Sequence, residues 1–227
     1  IEVTTFRIEQ GYSDSRHPDK ISFTDDITED LSRRDFTINA IAASLQDGKI
    51  VDPFDGQKDL KNKIIRTVGS PFERFSEDGL RPIRAIRFAA KLHFKIDEET
   101  LNAIPQTIEK TKTISIERFR DEFCKMMTTD KPSIALNLLE QTGILEFFIP
   151  ELIKCKNVTQ SDFRGIHKFD VLNHLFYACD GAPKEKLLVR ICSLFHDVGK
   201  PCTRKEDIRT EIDGSEKPII TFFGHEK

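Results

Sequence analysis

Four charged side chains recur at three-residue intervals in SEDGLRPIRAIRFAAKLHF, Ser76–Phe94: Asp78, Arg81, Arg84 and Arg87. At helical spacing they share one face, while Leu80, Ile83, Ile86, Phe88 and Leu92 supply the buried side. An ionised aspartate offers only acceptors and a guanidinium only donors, so Asp78 and Arg81 can present a directional pair to a docked ligand. The Watson–Crick edges of C and A both set an amine donor beside a ring-nitrogen acceptor, and those of U and G have the opposite order. Such a pair could select C and A without a template. Arg84 and Arg87, further along, are expected to face phosphates, where guanidinium forks bind well. A single i,i+3 Asp–Arg contact is more often a surface ion pair worth less than about 1 kcal/mol. Other segments must decide between the two readings.

The elements that would carry these groups divide the chain. Up to roughly Val68, strand-like pieces (IEVTTFRIE, and Lys49–Val51 before a Pro stop) mix with one helix expected over Asp35 to Leu45, and the polar stretch Gly11 to Ser22 reads as a mobile loop. From Pro71 the pattern is helical. Helices are expected over Ser76 to Leu92, Glu98 to Lys110, from Ser115 through Met127, Pro132 to Thr142 with Gly143 as its stop, Phe169 to Cys179 and Lys184 to His196. The fold class is α+β, a head with a small sheet followed by an all-helical body.

With 227 residues, 38% hydrophobic and 32% charged, the chain can bury more than one core. Its net charge of −3 argues against indiscriminate coating of nucleic acid, yet Lys58 to Lys91 holds nine Lys/Arg against four Asp/Glu, enough for a local basic groove. Five scattered cysteines without a CxxC pair suit free thiols in a reducing compartment, so a cytoplasmic location is expected. No apolar run approaches membrane-spanning length. The chain opens without Met inside a strand-like segment and stops just after another, PIITFF, so both ends are expected to be cut. Composition and spacing give no oligomeric state.

The order of five segments adds weight: IEVTTFR, HPDKISFTDDITEDLSRRDFTINAIA, DPFDGQKDLKNKIIRTVG, ERFSEDGLRPIRAIRFAAKLHF and ISIERFRDEFCKMM. Together they resemble the consecutive motifs of the class II tRNA nucleotidyltransferases (CCA-adding enzymes) and the related bacterial poly(A) polymerases. The resemblance runs from Ile1 to about Pro150, with RRDFTINA and EDxxRxxRAxRF its most specific parts. It implies a polymerase β-like nucleotidyltransferase head (1–69), a neck with base-recognition helices (70–128) and a helical body (129–160). It also implies addition of CMP and AMP from CTP and ATP to tRNA 3′ ends. Arg34 and Asp35 would contact the phosphates and ribose, Asp78 and Arg81 the base edge, and Arg84 and Arg87 would belong to the same nucleotide site. Glu117 and Arg118 would brace the helix turn beside it. Glu2 stands where the family's third active-site carboxylate, a Mg²⁺ ligand, is expected. The Asp-x-Asp strand that should precede it is not in the sequence, so this chain is expected to hold nucleotide without transferring it.

VLNHLFYACD followed by LFHDVGKP resembles the HD metal-dependent phosphohydrolase fold, implying an HD domain over 161–227. There His174, His196 and Asp197 would hold a divalent ion, and His225 fits a later histidine of that fold. His17, His93 and His167 have no comparable surroundings. Three functions follow from these readings. The first is CCA addition. The second is a poly(A) polymerase or A-adding enzyme, which shares the same motifs. The third, from another class, is an HD-type phosphohydrolase or RNA-binding protein without transferase activity.

Overall fold

A computed structural model describes residues 4–12, 18–160, 165 and 168–226. The chain forms two compact units, Ile1–Phe123 and Cys124–Lys227.

The first unit opens with an antiparallel pair, Arg7–Gln10 with Lys20–Phe23, in the register Arg7↔Phe23 to Gln10↔Lys20. The loop expected over Gly11 to Ser22 is therefore shorter, because Lys20 to Ser22 are strand; residues 13–17 lie outside the described residues. A helix follows at Ile27–Ser32, where the Asp26 carboxylate accepts the Thr28 N–H at 2.8 Å. That is an N-cap, with Glu29 three residues on.

The helix expected over Asp35 to Leu45 does not form. The segment holds a 3₁₀ turn, Thr37–Asn39, and the two-residue strand Ala42–Ala43, paired with Ile50–Val51. Side chains redirect the backbone: Asp35 Oδ1 accepts both the Phe36 N–H and the Asn39 amide, each at 2.9 Å. Extended Phe36 bridges Thr67, and the Thr37 N–H donates to the Arg66 carbonyl. Local side-chain acceptors of this kind compete with helical hydrogen bonds.

The helix expected over Ser76 to Leu92 is two helices, Pro71–Glu77 and Leu80–Leu92. Between them Asp78 is extended, and its carboxylate accepts the Leu80 N–H at 3.0 Å. Gly79 is needed at this corner because a Cβ there would collide with the Lys110 carbonyl. Fully buried Phe36, Ile65, Phe75, Ile83 and Ile86 belong to the core that holds these helices against the short parallel pair Ile64–Ile65 with Lys95–Ile96. The helix expected over Glu98 to Lys110 also divides, into Glu98–Gln106 and Ile108–Lys112, one residue after Pro105 begins to disrupt the ladder. The last helix to begin in this unit, Ile116–Met127, starts after Ser115, whose hydroxyl accepts the Arg118 N–H at 3.5 Å.

The second unit is mainly helical, with Pro132–Gln141, Ile144–Phe148, Pro150–Ile153, Val171–Gly181, Leu187–Phe195 and Lys200–Thr203. An antiparallel hairpin, Lys205–Thr210 with Glu216–Thr221, follows them, and only its second strand was legible in the sequence. Leu136, Leu139, Ile144, Val171, Leu175, Phe176 and Leu194 are buried in its core. Arg190, 2% exposed, donates to the carbonyls of Ala182, Met127 and Thr129, supplying donors to acceptors at the C-terminal ends of the Val171–Gly181 and Ile116–Met127 helices. All five cysteines are free, and burial pushes the Cys155 and Cys179 thiols up to about 11 and about 12.

Candidate functional site

In the first unit, Arg7, Glu9, Tyr12, Arg33, Arg34, Asp35, Asp78, Arg81, Arg84 and Arg118 converge with Pro18 and Leu80 on a cavity of about 410 Å³. Six arginines face three carboxylates, so the lining favours an anion. Each group is placed by a short element. Alternation along the first strand puts Arg7 and Glu9 on one face, and the end of the Ile27–Ser32 helix delivers Arg33 and Arg34.

Asp35 is the hinge of this arrangement. Its Oδ2 accepts Arg84 Nε at 2.8 Å and Arg84 Nη2 at 2.7 Å, while its Oδ1 closes the 3₁₀ turn. Arg34, with a side chain 43% exposed, pairs with Asp30 Oδ2 at 3.0 Å. Arg33 binds Asp30 at 2.7 Å and Glu9 at 3.0 Å. Burial alone would raise the Glu9 carboxyl, but hydrogen bonds from Tyr12 and Arg7 and the charge of Arg33 outweigh it and hold it below the usual range. Asp30 is held low in the same way, burial being outweighed by Arg33 and Arg34.

Asp78 and Arg81 both line the cavity, though not as neighbours on one helical face. Asp78 stands in the break ahead of the helix and Arg81 lies one turn inside it, its N–H donating to the Asp78 carbonyl at 3.0 Å. The Asp78 carboxylate pairs with Arg118 Nη2, 3.1 Å from each oxygen. Arg81 Nη1 donates to the Arg74 carbonyl at 3.0 Å and to the Glu77 carboxylate. Both groups are thus pinned from behind by other residues.

Arg87 and Glu117 sit elsewhere. Arg87 is 7% exposed, donates to buried Glu122 and lies 4.0 Å over the Phe88 ring, in the interior rather than in the cavity. Glu117 is exposed in the first turn of Ile116–Met127, and its own backbone N–H and Ser115 hold its carboxyl low. Glu2 and His17 lie outside the described residues. Arg7, Glu9, Tyr12 and Arg33 also line the cavity, and none of them is among the residues expected from the motifs. The i,i+2 spacing of Arg7 and Glu9 on a strand was the available signal.

The second unit brings its expected histidines together. His174, His196 and Asp197 offer ligand atoms all within 4.8 Å of one another. His196 Nδ1 lies 2.9 Å from the Ser193 carbonyl, which fixes the Nδ1–H tautomer and leaves the Nε2 lone pair facing His174 Nε2 at 3.1 Å. His225 Nε2 is 3.2 Å from Asp197 Oδ1, and its Nδ1 is tied to the Phe222 carbonyl at 2.7 Å. Two imidazole lone pairs beside a carboxylate form a donor set that fits a divalent ion. Lys200 Nζ lies 2.6 Å from Asp197 Oδ2, so an internal cation already shares that oxygen. Burial alone would raise the Asp197 carboxyl, but the hydrogen bond and charge of Lys200 act against it, and the carboxyl is held below its usual range.

Comparison with known proteins agrees with the geometry of the first unit. Residues 1–66 match the Poly A polymerase head domain, and residues 93–156 match the family described as the probable RNA and SrmB-binding site of polymerase A. A CCA-adding enzyme of Pediococcus pentosaceus is 51% identical over 146 residues, 64% of this chain and 37% of that protein. One from Lactobacillus helveticus is 55% identical over 125 residues, 55% of this chain and 31% of that protein. The Bacillus stearothermophilus CCA-adding enzyme in complex with CTP superposes with a TM-score of 0.62 at 30% identity, covering 87% of this chain and 45% of its own. A tRNA nucleotidyltransferase complexed with a primer tRNA and an incoming ATP analog gives 0.51 at 30% identity, covering 68% and 49%. The fold of the first unit is similar to the nucleotidyltransferase head of CCA-adding enzymes. These relatives are what residues 1–66 and 93–156 resemble, and the chain spans about a third of the length of the two curated ones, 37% and 31%.

Proposed function

We propose that this chain reads the base and triphosphate of CTP and ATP within a tRNA nucleotidyltransferase that adds CMP and AMP to tRNA 3′ ends. The observation that carries the reading is the convergence of Asp78 and Arg81 on one arginine-rich cavity. Asp78 keeps acceptor capacity beyond Arg118, because a carboxylate offers about four lone-pair positions. It would accept the exocyclic amine of C or A while Arg81 donates to the ring nitrogen. Arg34 and Arg84 would bind phosphates, and Asp35 would aim Arg84. Arg87 would act on this site through the fold rather than by contact. Residues 1–69 would serve as head, 70–128 as neck and 129–160 as body. The relatives determined with CTP and with primer tRNA and an ATP analog support these partners.

Magnesium would supply the Lewis acid that activates the attacking hydroxyl and neutralises the triphosphate when bound. Glu2 would be one of its carboxylates. In the second unit, His174, His196 and Asp197 would hold a separate divalent ion in an HD domain over 161–227. No helix among the described residues is long and apolar enough to cross a membrane. The five free cysteines support the reading of a cytoplasmic protein. The decisive experiment incubates the complete protein with tRNA lacking its 3′ end and each labelled nucleoside triphosphate separately. Incorporation of CMP and AMP but not UMP or GMP is expected. Incorporation of AMP alone favours a poly(A) polymerase or A-adding enzyme, and no incorporation overturns the transferase reading.

A further inference from the structure

One aromatic ring, Tyr12, stands among the described residues that line the arginine cavity, and edge reading by Asp78 and Arg81 makes no use of it. It is half-buried and fixed at both ends. Its hydroxyl donates to Glu9 Oε2 at 2.5 Å, and the Arg81 guanidinium carbon lies 5.8 Å from its ring centroid. Glu9 is itself anchored, with Arg7 Nε at 2.7 Å, Arg33 Nη1 at 3.0 Å and a side chain only 7% exposed. Burial and the Glu9 carboxylate push the phenol up to about 12, so it stays a hydrogen-bond donor throughout the neutral range.

A base bound only at its edge leaves both π faces without partners. Stacking on an aromatic side chain adds affinity for any base, because every base has a π face. Hydrogen bonding to Arg81 confines a base to the neighbourhood of that guanidinium, and the Tyr12 ring shares that neighbourhood. Pro18 and Leu80, the other uncharged groups of the lining, have no π system. We propose that Tyr12 is the face contact for the base whose edge Asp78 and Arg81 read, with Glu9 holding the ring in place. The inference rests on the nucleotide reading of the cavity and assigns a division of labour within it. Tyr12 adds affinity for C and A alike, and the Asp78–Arg81 pair discriminates.

The test is calorimetric titration of the chain with CTP, ATP and base-less ribose 5-triphosphate, in wild type, Tyr12→Phe, Tyr12→Trp and Tyr12→Leu. Tyr12→Leu is expected to weaken CTP and ATP by about 5- to 150-fold, the ratio for about 1–3 kcal/mol, and to leave the base-less triphosphate unchanged. Tyr12→Phe and Tyr12→Trp keep a ring and should retain most of the affinity. Wild-type affinity in Tyr12→Leu, or equal loss of the base-less ligand, overturns the proposal. A wild-type chain that binds base-less triphosphate as tightly as CTP and ATP would instead remove the nucleotide reading itself.

Discussion

Arg118 Nη2 lies 3.1 Å from both carboxylate oxygens of Asp78, so the acid expected to read a base edge is aimed by a residue forty positions away. The contact joins the break between Pro71–Glu77 and Leu80–Leu92 to the first turn of Ile116–Met127. Arg118→Gln should leave Asp78 in place but held on one oxygen only, by the Leu80 N–H at 3.0 Å. The expected result is a drop in preference for CTP and ATP over UTP and GTP of about 5- to 150-fold, corresponding to about 1–3 kcal/mol of lost discrimination. Incorporation of the four triphosphates in the complete enzyme measures it. Unchanged selectivity would mean that Arg118 only supports the fold.

Arg87 offers the contrast. Its side chain is 9% exposed and that of its partner Glu122 4%, so Arg87→Met takes a cationic partner away from a buried carboxylate. Removing one partner of a buried pair typically costs about 3–5 kcal/mol, whereas replacing both with apolar groups is often near neutral. Urea denaturation should therefore show a large loss for Arg87→Met and recovery in Arg87→Met/Glu122→Leu. Nucleotide affinity of the double variant should stay close to wild type. A stable double variant that no longer binds nucleotide would return Arg87 to the cavity.

These two arginines show how much the sequence discloses. Donor and acceptor types at Asp78, Arg81 and Arg84 are properties of the residues themselves, and their convergence follows from one helix and the turn before it. Helical spacing predicted Arg87 on the same face, but it carries no information on a partner thirty-five residues away, and Glu122 draws that guanidinium inward. The missed helix at Ile27–Ser32 was legible in Asp26 with Glu29 three residues later. The absent one after Asp35 was not, because its competitors are a side-chain acceptor and a bridge to Thr67 that forms only after folding. The pairing of Lys20–Phe23 was masked by the polar residues around a four-residue strand.

The Glu9–Tyr12 contact has a spectroscopic signature, since the chain has two tyrosines and no tryptophan. Absorbance titration should resolve Tyr12 ionising near pH 12, well above the ordinary phenol value of 10.0. Its folded-state value is raised, so its contribution to stability is complete below the unfolded value and is lost as pH rises through about 12. In Glu9→Gln the phenol should titrate earlier. An unchanged titration would show that Glu9 does not hold the ring.

At the acid end the sign reverses. Glu9 and Asp30 are both held below their usual range, so the unfolded chain binds more protons than the folded one as pH falls. Their stabilisation is present above the ordinary carboxyl values of 4.5 and 3.8 and is lost as pH drops through the depressed ones. Urea midpoints measured from pH 5 to pH 2 should fall more gently in Asp30→Asn than in wild type. Parallel curves would mean that these carboxylates do not drive acid unfolding of the first unit.

Gly199 tests the histidine cluster without touching a proposed ligand. Its backbone is ordinary right-handed helix, φ −79°, so alanine is not strained there, yet a Cβ at Gly199 would collide with the His225 carbonyl. His225 is the residue whose Nε2 meets Asp197 Oδ1 at 3.2 Å. Gly199→Ala should push the Phe222–Glu226 segment away and leave His174 and His196 where the Val171–Gly181 helix and the end of the Leu187–Phe195 helix put them. Titration with Co²⁺, followed by its visible absorption, should show the ion held by His174, His196 and Asp197 in wild type and no longer held in His196→Ala. Gly199→Ala should still bind it, with an altered spectrum if His225 is a ligand and an unaltered one if His225 only orients Asp197. Identical spectra for wild type and His196→Ala would remove the metal site from this unit altogether.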